Sequence, residues 1–253
     1  VVAAGNKSSD ASKYALASCK GVLTVAGTTV EDTRALFSNW GQAVDLSAPA
    51  MDILALRARD TDFLVYTGEN PDYQGGSAVV GKSQDLYRAS GTSFAAPLVA
   101  GAASLLRSSR PDLSAQQVKQ MLIMSAQDVE TPGWDQYTGS GVLNIQQAVK
   151  ADPDYFLFAQ ISQVKAVRKE NKISIQVLGQ ASGGSLAKHQ LQVGFGTSPA
   201  EGDWKTVATG DKAIAAGLIG PLPLTQFNRK GTWTVRLLVT DKKGKTRQAR
   251  ATL

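Results

Sequence analysis

The run of small residues in "GTSFAAPLVAGAASLLRSSRP", residues 91 to 111, restricts the fold of this chain more than any other stretch. It predicts a helix over 93–111, with Pro97 inside the first turn, where a missing backbone N–H costs little. Small side chains recur along the segment, at Ala95, Ala96, Ala100, Gly101, Ala102 and Ala103. A helix with so slim a surface can lie deep among close neighbours in a layered fold.

The rest of the first half predicts strands and two shorter helices. Apolar, β-rich runs bounded by turn residues predict strands within 1–6, 21–29 and 36–49. A helix is predicted over 112–126 with Ser114 as its N-cap, and a turn followed by a short amphipathic helix over 139–151. Residues 57–88 alternate polar and glycine-rich stretches, which predicts an elaborated surface loop or hairpin. Together these elements predict an α/β layer architecture.

The pattern of the chain changes after Pro153. Runs that alternate apolar and polar residues predict an antiparallel sandwich, and they are 172–179, 189–196, 203–209, 232–241 and 245–253. The charge changes sign at the same point: residues 1–152 hold 12 Lys and Arg against 15 Asp and Glu, whereas residues 153–253 hold 15 against 6. We therefore predict an α/β domain over 1–152, a linker over 153–170 and an all-β sandwich over 171–253.

Composition argues against several classes of protein. No stretch approaches the roughly 18 to 20 apolar residues of a membrane span, and no basic segment followed by an apolar one opens the chain. The basic second half shows no recognition helix and no aromatic platform, so nucleic acid is not an expected partner. Its charge fits either attraction to polyanionic cell-surface polymers or a solvated face on a passive spacer. Cys19 is the only cysteine, so no disulfide framework exists, and we expect a buried structural thiol.

Ser93 lies where the predicted helix begins. A serine hydroxyl becomes a good nucleophile only when a base takes its proton and donors stabilise the resulting oxyanion. A helix N-terminus supplies free N–H groups and the positive end of the helix dipole, and Gly91 and Thr92 would give the tight entry turn. The same local pattern also fits an ordinary helix cap, so it does not by itself identify a nucleophile.

Longer motifs resemble those of the subtilisin-like serine proteases. The stretch "SGTSFAAPLVAG" resembles the family's nucleophile motif, Gly-Thr-Ser-x-Ala-x-Pro-x-Val-Ala-Gly, with Ser93 at the nucleophile position. "VVAAGN" resembles the strand that ends in the oxyanion-hole asparagine, which places Asn6 at that position. "GVLTVAGT", "FSNWGQAVDLSAP" and "YTGSGVLNIQQAV" resemble further segments in the right order. The resemblance covers residues 1 to about 150 and implies the C-terminal part of a parallel-sheet catalytic domain.

The resemblance also implies a substrate cleft. The backbone of Ala3, Ala4 and Gly5 would line its primary specificity pocket. Lys7 would stand at the rim, where it would either favour acidic substrate side chains or be an ordinary solvated lysine. No metal ligands are predicted in this chain, and calcium is a candidate cofactor of the whole enzyme only. Asp45 is interpreted as a structural turn aspartate rather than as part of a weak cation site.

The catalytic base is missing from this sequence. In the family the catalytic aspartate and histidine both precede the oxyanion-hole asparagine, so both would lie upstream of Val1. The only histidine, His189, follows Ser93 by 96 residues and is interpreted as a solvent-facing or edge-strand residue of the sandwich. We therefore expect a piece of a longer precursor that is essentially inactive alone and packs against an upstream fragment carrying Asp and His.

Two functions follow from these patterns. The first is a serine endopeptidase, secreted or at the cell surface and autoprocessed, which hydrolyses proteins or peptides through an acyl-enzyme on Ser93. The second is a catalytically inactive scaffold of the same fold that acts as a binding or adhesion protein. Ser93 and Asn6 together favour the enzyme, because a scaffold has no chemical need for either. The second half resembles the immunoglobulin- or fibronectin-like modules that follow bacterial secreted enzymes, which implies a bacterial source.

Overall fold

The computed structural model of this protein describes residues 1–57, 79–80, 85–169 and 172–253. The α-helices in these ranges are α1 (Thr92–Ser109), α2 (Ala115–Ser125) and α3 (Ile145–Lys150). The strands of the first half are β1 (Val2–Ala3), β2 (Thr24–Thr28), β3 (Leu46–Pro49), β4 (Ile53–Leu56), β5 (Val79–Val80) and β6 (Leu86–Ala89). The strands of the second half are β7 (Leu157–Lys169), β8 (Lys172–Gly183), β9 (Leu186–Phe195), β10 (Lys205–Gly210), β11 (Ile214–Leu222), β12 (Trp233–Asp241) and β13 (Thr246–Thr252). No helix within the described ranges has the length and apolar character needed to cross a membrane.

A parallel sheet with the strand order β1-β2-β3 forms the centre of the first half. The middle strand, β2, pairs through Val25 with Ala3 on one side and with Leu46 on the other. Every residue of β2 is buried, as is typical of a parallel strand that is covered on both faces. Among the described strands, β1 forms one edge of this sheet.

Helix α1 packs on this sheet and confirms the predicted helix, which begins one residue earlier than expected. Its inner side contributes to the core of the first half through Ala95, Val99, Ala102 and Leu106. The opposite side is open: Leu98 and Leu105 are 40% and 49% exposed, and no described atom lies within 4 Å of where a Cβ of Gly101 would stand. The helix is therefore buried on one side, and its small residues leave room for neighbours on the other.

Helix α2 confirms the predicted cap at Ser114. The Ser114 hydroxyl accepts a hydrogen bond from Gln117 N at 3.2 Å, and Gln117 Oε1 accepts one from Ser114 N at 3.0 Å. This reciprocal pair is a capping box, which satisfies two backbone donors at the start of the helix. Helix α3 begins after Asn144, whose Oδ1 accepts from Gln147 N at 3.0 Å.

Three short antiparallel strands, in the order β4-β6-β5, lie in the sequence between β3 and α1. An ion pair of 3.1 Å between Arg88 and Asp52 joins the ends of this segment. The loop or hairpin predicted over 57–88 falls mostly outside the described residues.

The second half contains two antiparallel sheets, with the strand orders β10-β9-β12-β13 and β11-β8-β7. Both sheets contribute to one hydrophobic core, whose fully buried members include Leu157, Val177, Leu191, Val235 and Leu237. Each of the five runs predicted to be strands within 171–253 overlaps a strand of the structure. The assignment of this half to the immunoglobulin- or fibronectin-like class stays a prediction.

The predicted linker over 153–170 is wrong, because β7 occupies most of it. Alternate residues of this strand, from Leu157 to Ile161, are buried, but a register shift between Ile161 and Gln163 breaks the alternation. Strand β11 was also missed by the sequence pattern. It lies at the edge of its sheet, contains Pro221 and has two register shifts of its own. Irregular pairing hides the period of two on which strand prediction depends.

The two halves are packed together through the segment that precedes α3. Trp134 is 8% exposed, and its side chain belongs to the core of the second half. Its backbone N–H donates to Gln248 O at 3.0 Å, which joins the segment to β13. Gly133, with φ +91°, fits closely beneath it, because a Cβ there would stand 1.9 Å from Gln248 O. A buried tryptophan and backbone pairing thus hold the second half against the first.

Candidate active site

Two distant segments meet where β1 ends and α1 begins. Asn6 follows β1, and Thr92 is the first residue of α1. Asn6 Oδ1 accepts two hydrogen bonds from Thr92, one from its backbone N at 2.9 Å and one from Oγ1 at 2.8 Å. The asparagine side chain thereby satisfies one of the free N–H groups at the helix N-terminus, although it is 86 residues away in sequence.

These two bonds fix the orientation of the Asn6 amide. Because Oδ1 is occupied by Thr92, the Nδ2 group is the part of the amide that remains to donate. Gly91 gives this amide its space: its φ is +153°, and a Cβ at Gly91 would stand 3.2 Å from Asn6 Nδ2. A glycine is therefore required at the entry to α1 both by its backbone conformation and by the close approach of Asn6.

Ser93 is the second residue of α1, and its side chain is exposed. Within the described part of the chain, neither the Ser93 hydroxyl nor the Ser93 backbone N–H has a hydrogen-bond partner. The next residue, Phe94, is the first of the helix whose N–H donates to a carbonyl of the preceding turn, Gly91 O at 2.9 Å. The start of α1 therefore offers an exposed hydroxyl, a free backbone donor in the same residue and the free Nδ2 of Asn6. An oxyanion hole needs two such donors at the reacting atom, and the assignment of these groups to one stays a prediction.

Thr92 joins this arrangement to the predicted pocket wall. Its side chain is fully buried, and Oγ1 accepts a hydrogen bond from Gly5 N at 3.1 Å while it donates to Asn6. The motif analysis assigned Thr92 only to the entry turn. No local pattern in the sequence indicates these contacts, because Gly5 and Asn6 lie 87 and 86 residues from Thr92.

The predicted pocket residues lie on one strand end. Ala3 and Gly5 are partly buried and Ala4 is fully buried. The side chain of Lys7 is exposed, and no ion pair forms between it and the described residues. The backbone of this segment is bonded to Asn39, a buried residue that the sequence analysis did not single out. The pocket assignment of these residues stays a prediction.

Two expectations for isolated residues are wrong. Cys19 is exposed rather than buried, because it follows a surface turn where Sγ donates only to Ala15 O. His189 is 6% exposed and lies on β9, a central strand, rather than at an edge or in solvent. Its ring packs on Gly210, and burial lowers the pKa of the imidazole, although Asp211 opposes this shift. Neither residue contacts the start of α1.

Asp45 has the contacts of a structural carboxylate. It accepts from Thr24 N at 2.8 Å and forms an ion pair of 2.8 Å with Lys119. Burial raises the pKa of this carboxyl, and Lys119 offsets part of the shift. The described residues contain no group of three or more His, Cys, Asp or Glu side chains that could hold a metal ion.

A large concave region formed by the described residues does not include Ser93 in its lining. It is a cleft of about 820 Å³ between the two halves, and its lining includes Trp40, Tyr137, Ser162 and Arg250. Size therefore does not identify the site in this chain. The start of α1 is the candidate site instead, because it combines an exposed serine hydroxyl with two unpaired donors.

Comparison with known proteins supports the assignment of this half. The model of the Peptidase S8, or subtilase, family matches residues 1–141. Subtilisin-like protease 4 of Arthroderma gypseum is 36% identical over 147 residues, which are 55% of this chain and 30% of that protein. Subtilisin-like protease 4 of Trichophyton equinum is 41% identical over 100 residues, which are 40% of this chain and 19% of that protein. This chain thus spans less than a third of these relatives.

Solved structures of proteases show a similar partial overlap. One from Pseudoalteromonas arctica is 25% identical, with a TM-score of 0.46 and coverage of 59% of this chain and 41% of the other. A lanthipeptide protease is 26% identical, with a TM-score of 0.47 and coverage of 59% and 50%. The curated relatives above come from fungi, so they do not support the expected bacterial source. With a family model that matches more than half of its length, this chain belongs to the subtilase family of serine proteases.

Proposed function

We propose that this chain carries the nucleophile and the oxyanion-binding groups of a serine endopeptidase. The observation that carries this proposal is the double hydrogen bond from Thr92 to Asn6 Oδ1, since it leaves Nδ2 as a donor beside Ser93. Ser93 Oγ attacks the peptide carbonyl, and the oxyanion that forms accepts from Ser93 N–H and from Asn6 Nδ2. The base then gives the proton to the leaving nitrogen, the C–N bond breaks to release the amine, and the acyl-enzyme that remains on Ser93 is hydrolysed by water.

The base that takes the Ser93 proton belongs, in this proposal, to an upstream segment of the same precursor that also supplies the orienting aspartate. Triads of this family order their members as aspartate, histidine and serine along the chain. The proposed segment packs against this chain whether or not autoprocessing cleaves the link between them. It covers the open side of α1, where Leu98 and Leu105 are exposed, and continues the parallel sheet beyond β1. The exposed leucines of α1 and the position of β1 at one edge of the sheet, among the described strands, support this placement.

Substrates of the proposed enzyme are proteins or peptides, held along the segment from Ala3 to Gly5. Lys7 stands exposed two residues beyond this segment, and it would favour an acidic side chain at the primary pocket. The same proposal includes a secreted or cell-surface location and a calcium requirement of the whole enzyme. It also assigns the second half to the immunoglobulin- or fibronectin-like class. Attachment through Trp134 supports a docked module rather than a free spacer.

The competing function is an inactive scaffold that binds other molecules. The tight fit of Gly91 on Asn6 supports the enzyme, because a scaffold has no need to keep an amide donor open beside an exposed serine.

A fluorophosphonate probe distinguishes the two functions. The full-length protein that carries this chain is treated with the probe and digested, and the adduct is located by mass spectrometry. The proposal predicts one adduct per molecule, on Ser93, and none in the variant Ser93→Ala. A folded full-length protein that remains unlabelled would establish the scaffold function instead.

A further inference from the structure

Asn39 lies in the turn between β2 and β3, and its side chain is fully buried. It does not touch Ser93 or Thr92 in any described contact. All the side-chain hydrogen bonds described for it go to the segment that contains Asn6. Its role therefore depends on what that segment does.

The Asn39 amide holds the chain on both sides of Asn6. Nδ2 donates to Ala4 O at 2.9 Å, whereas Oδ1 accepts from Lys7 N at 2.9 Å and from Ser9 N at 3.2 Å. The backbone N–H of Asn39 adds a bond to Gly5 O at 2.8 Å. The residues before and after Asn6 are thus tied to one rigid, buried group.

This position accepts few other side chains. The group must donate on one side and accept on the other, which the planar amide of asparagine does and a carboxylate does not. Gly5 has φ +104°, and a Cβ there would lie 2.4 Å from Asn39 Nδ2, so the glycine and the amide are fitted to each other. Buried donors and acceptors left without partners destabilise the conformation that buries them.

We propose that Asn39 is a positioning residue for the oxyanion hole: it fixes the turn from Ala4 to Lys7 and thereby the place of Asn6 Nδ2. The inference rests on the proposed endopeptidase function, since the hole has a purpose only if an oxyanion forms. Thr92 holds the amide of Asn6 from the helix side. Asn39 holds its backbone from the strand side, so the donor is fixed at both ends.

A double-mutant cycle tests this inference in the full-length protein. The variants are Asn39→Asp, Asn6→Ala and the two combined, and the readout is the rate constant of fluorophosphonate labelling at Ser93. Asn39→Asp removes the donor to Ala4 O but keeps the shape of the side chain. We expect a loss of about tenfold or more in an otherwise normal protein, and almost no further loss when Asn6 is already alanine. Asn144→Asp, at the cap of α3, is the matched control and should label like the wild type.

Two further readouts separate positioning from a general loss of fold. A carboxylate at position 39 accepts but does not donate, whereas its protonated form supplies a donor to Ala4 O, so the labelling defect relative to wild type should be smallest at acid pH and grow as pH rises. Binding of a peptide aldehyde, which forms a tetrahedral adduct, should weaken by more than binding of a product peptide. Asn39→Ser, which is uncharged but too short to bridge the turn, should show the same lack of additivity if Asn39→Asp does not fold.

The outcomes are distinguishable. An unlabelled, folded wild-type protein would overturn the proposed function and this inference together. A labelled wild type in which the losses from Asn39→Asp and Asn6→Ala multiply would overturn the inference alone, because the two residues would then act independently. Equal loss of aldehyde and product binding would also overturn it.

Discussion

Replacement of Thr92 by valine tests the contacts that build the site. The substitution keeps the shape of the side chain but removes Oγ1, which accepts from Gly5 N at 3.1 Å and donates to Asn6 Oδ1 at 2.8 Å. Thr92 is fully buried, so water does not replace these bonds without rearrangement. One backbone donor is left unpaired, at a cost of about 1 to 3 kcal/mol, and one ordinary hydrogen bond worth about 1 kcal/mol is lost.

The expected decrease in the free energy of unfolding of the Thr92→Val variant is therefore about 2 to 4 kcal/mol. Asn6 Oδ1 retains the hydrogen bond from Thr92 N, so the amide keeps one of its two restraints. Fluorophosphonate labelling of Ser93 should therefore slow by about five- to tenfold. Urea unfolding of the full-length protein measures the first quantity, and probe kinetics the second. Thr92→Ser is the control: it keeps the hydroxyl, loses one buried methyl worth about 1 kcal/mol, and should label at nearly the wild-type rate. Equal labelling defects in both variants would refute this account of the hydroxyl.

Three other substitutions give distinct results. Gly91→Ala places a Cβ 3.2 Å from Asn6 Nδ2 at a strained φ, so labelling of Ser93 should fall by at least about tenfold, measured with the same probe. Trp134→Ala empties a core position and should lower the free energy of unfolding by about 3 to 5 kcal/mol; limited proteolysis should then cut between the halves. Burial lowers the pKa of His189 in the folded state, so the wild type loses stability as pH falls below about 6.5 towards that lowered pKa. The variant His189→Gln should lack this pH-dependent loss of stability when unfolding is measured from about pH 7.5 to 5. Unchanged labelling of Gly91→Ala would contradict the first expectation, and a Trp134→Ala protein that the protease does not cut would contradict the second. Parallel pH profiles for His189→Gln and the wild type would contradict the third.

Local patterns predicted the elements whose signals are complete within one segment. A run of small residues within one segment indicated helix α1. The cap of α2 was equally local, because Ser114 stands directly before the helix that it caps. Strands β7 and β11 were missed because bulges and an edge proline interrupt their alternation, and the partner strands that stabilise them are distant in sequence. The predicted linker failed for this reason.

The site was predictable only in part. The motifs that resemble the family pointed to Ser93 and Asn6, whose roles stay predictions. The contacts of Thr92 and Asn39 join residues 86 and 35 positions apart, which no local pattern indicates.

Cys19 lies outside any periodic run, so nothing in the sequence indicated its exposure. His189 begins the alternating run 189–196 and shares a strand face with the buried Leu191 and Val193. The period of two therefore indicated that His189 is buried, and the expectation of a solvent-facing or edge position overlooked this signal.

A complex of the full-length protein with a peptide boronate tests the proposed oxyanion hole, because a boronate bonded to a serine mimics the tetrahedral intermediate. The account predicts a crystal structure with boron bonded to Ser93 Oγ and one boronate oxygen about 2.7 to 3.1 Å from both Ser93 N and Asn6 Nδ2. A boronate bonded to Ser93 whose oxygens avoid Asn6, or a folded protein that does not bind it, would contradict the account.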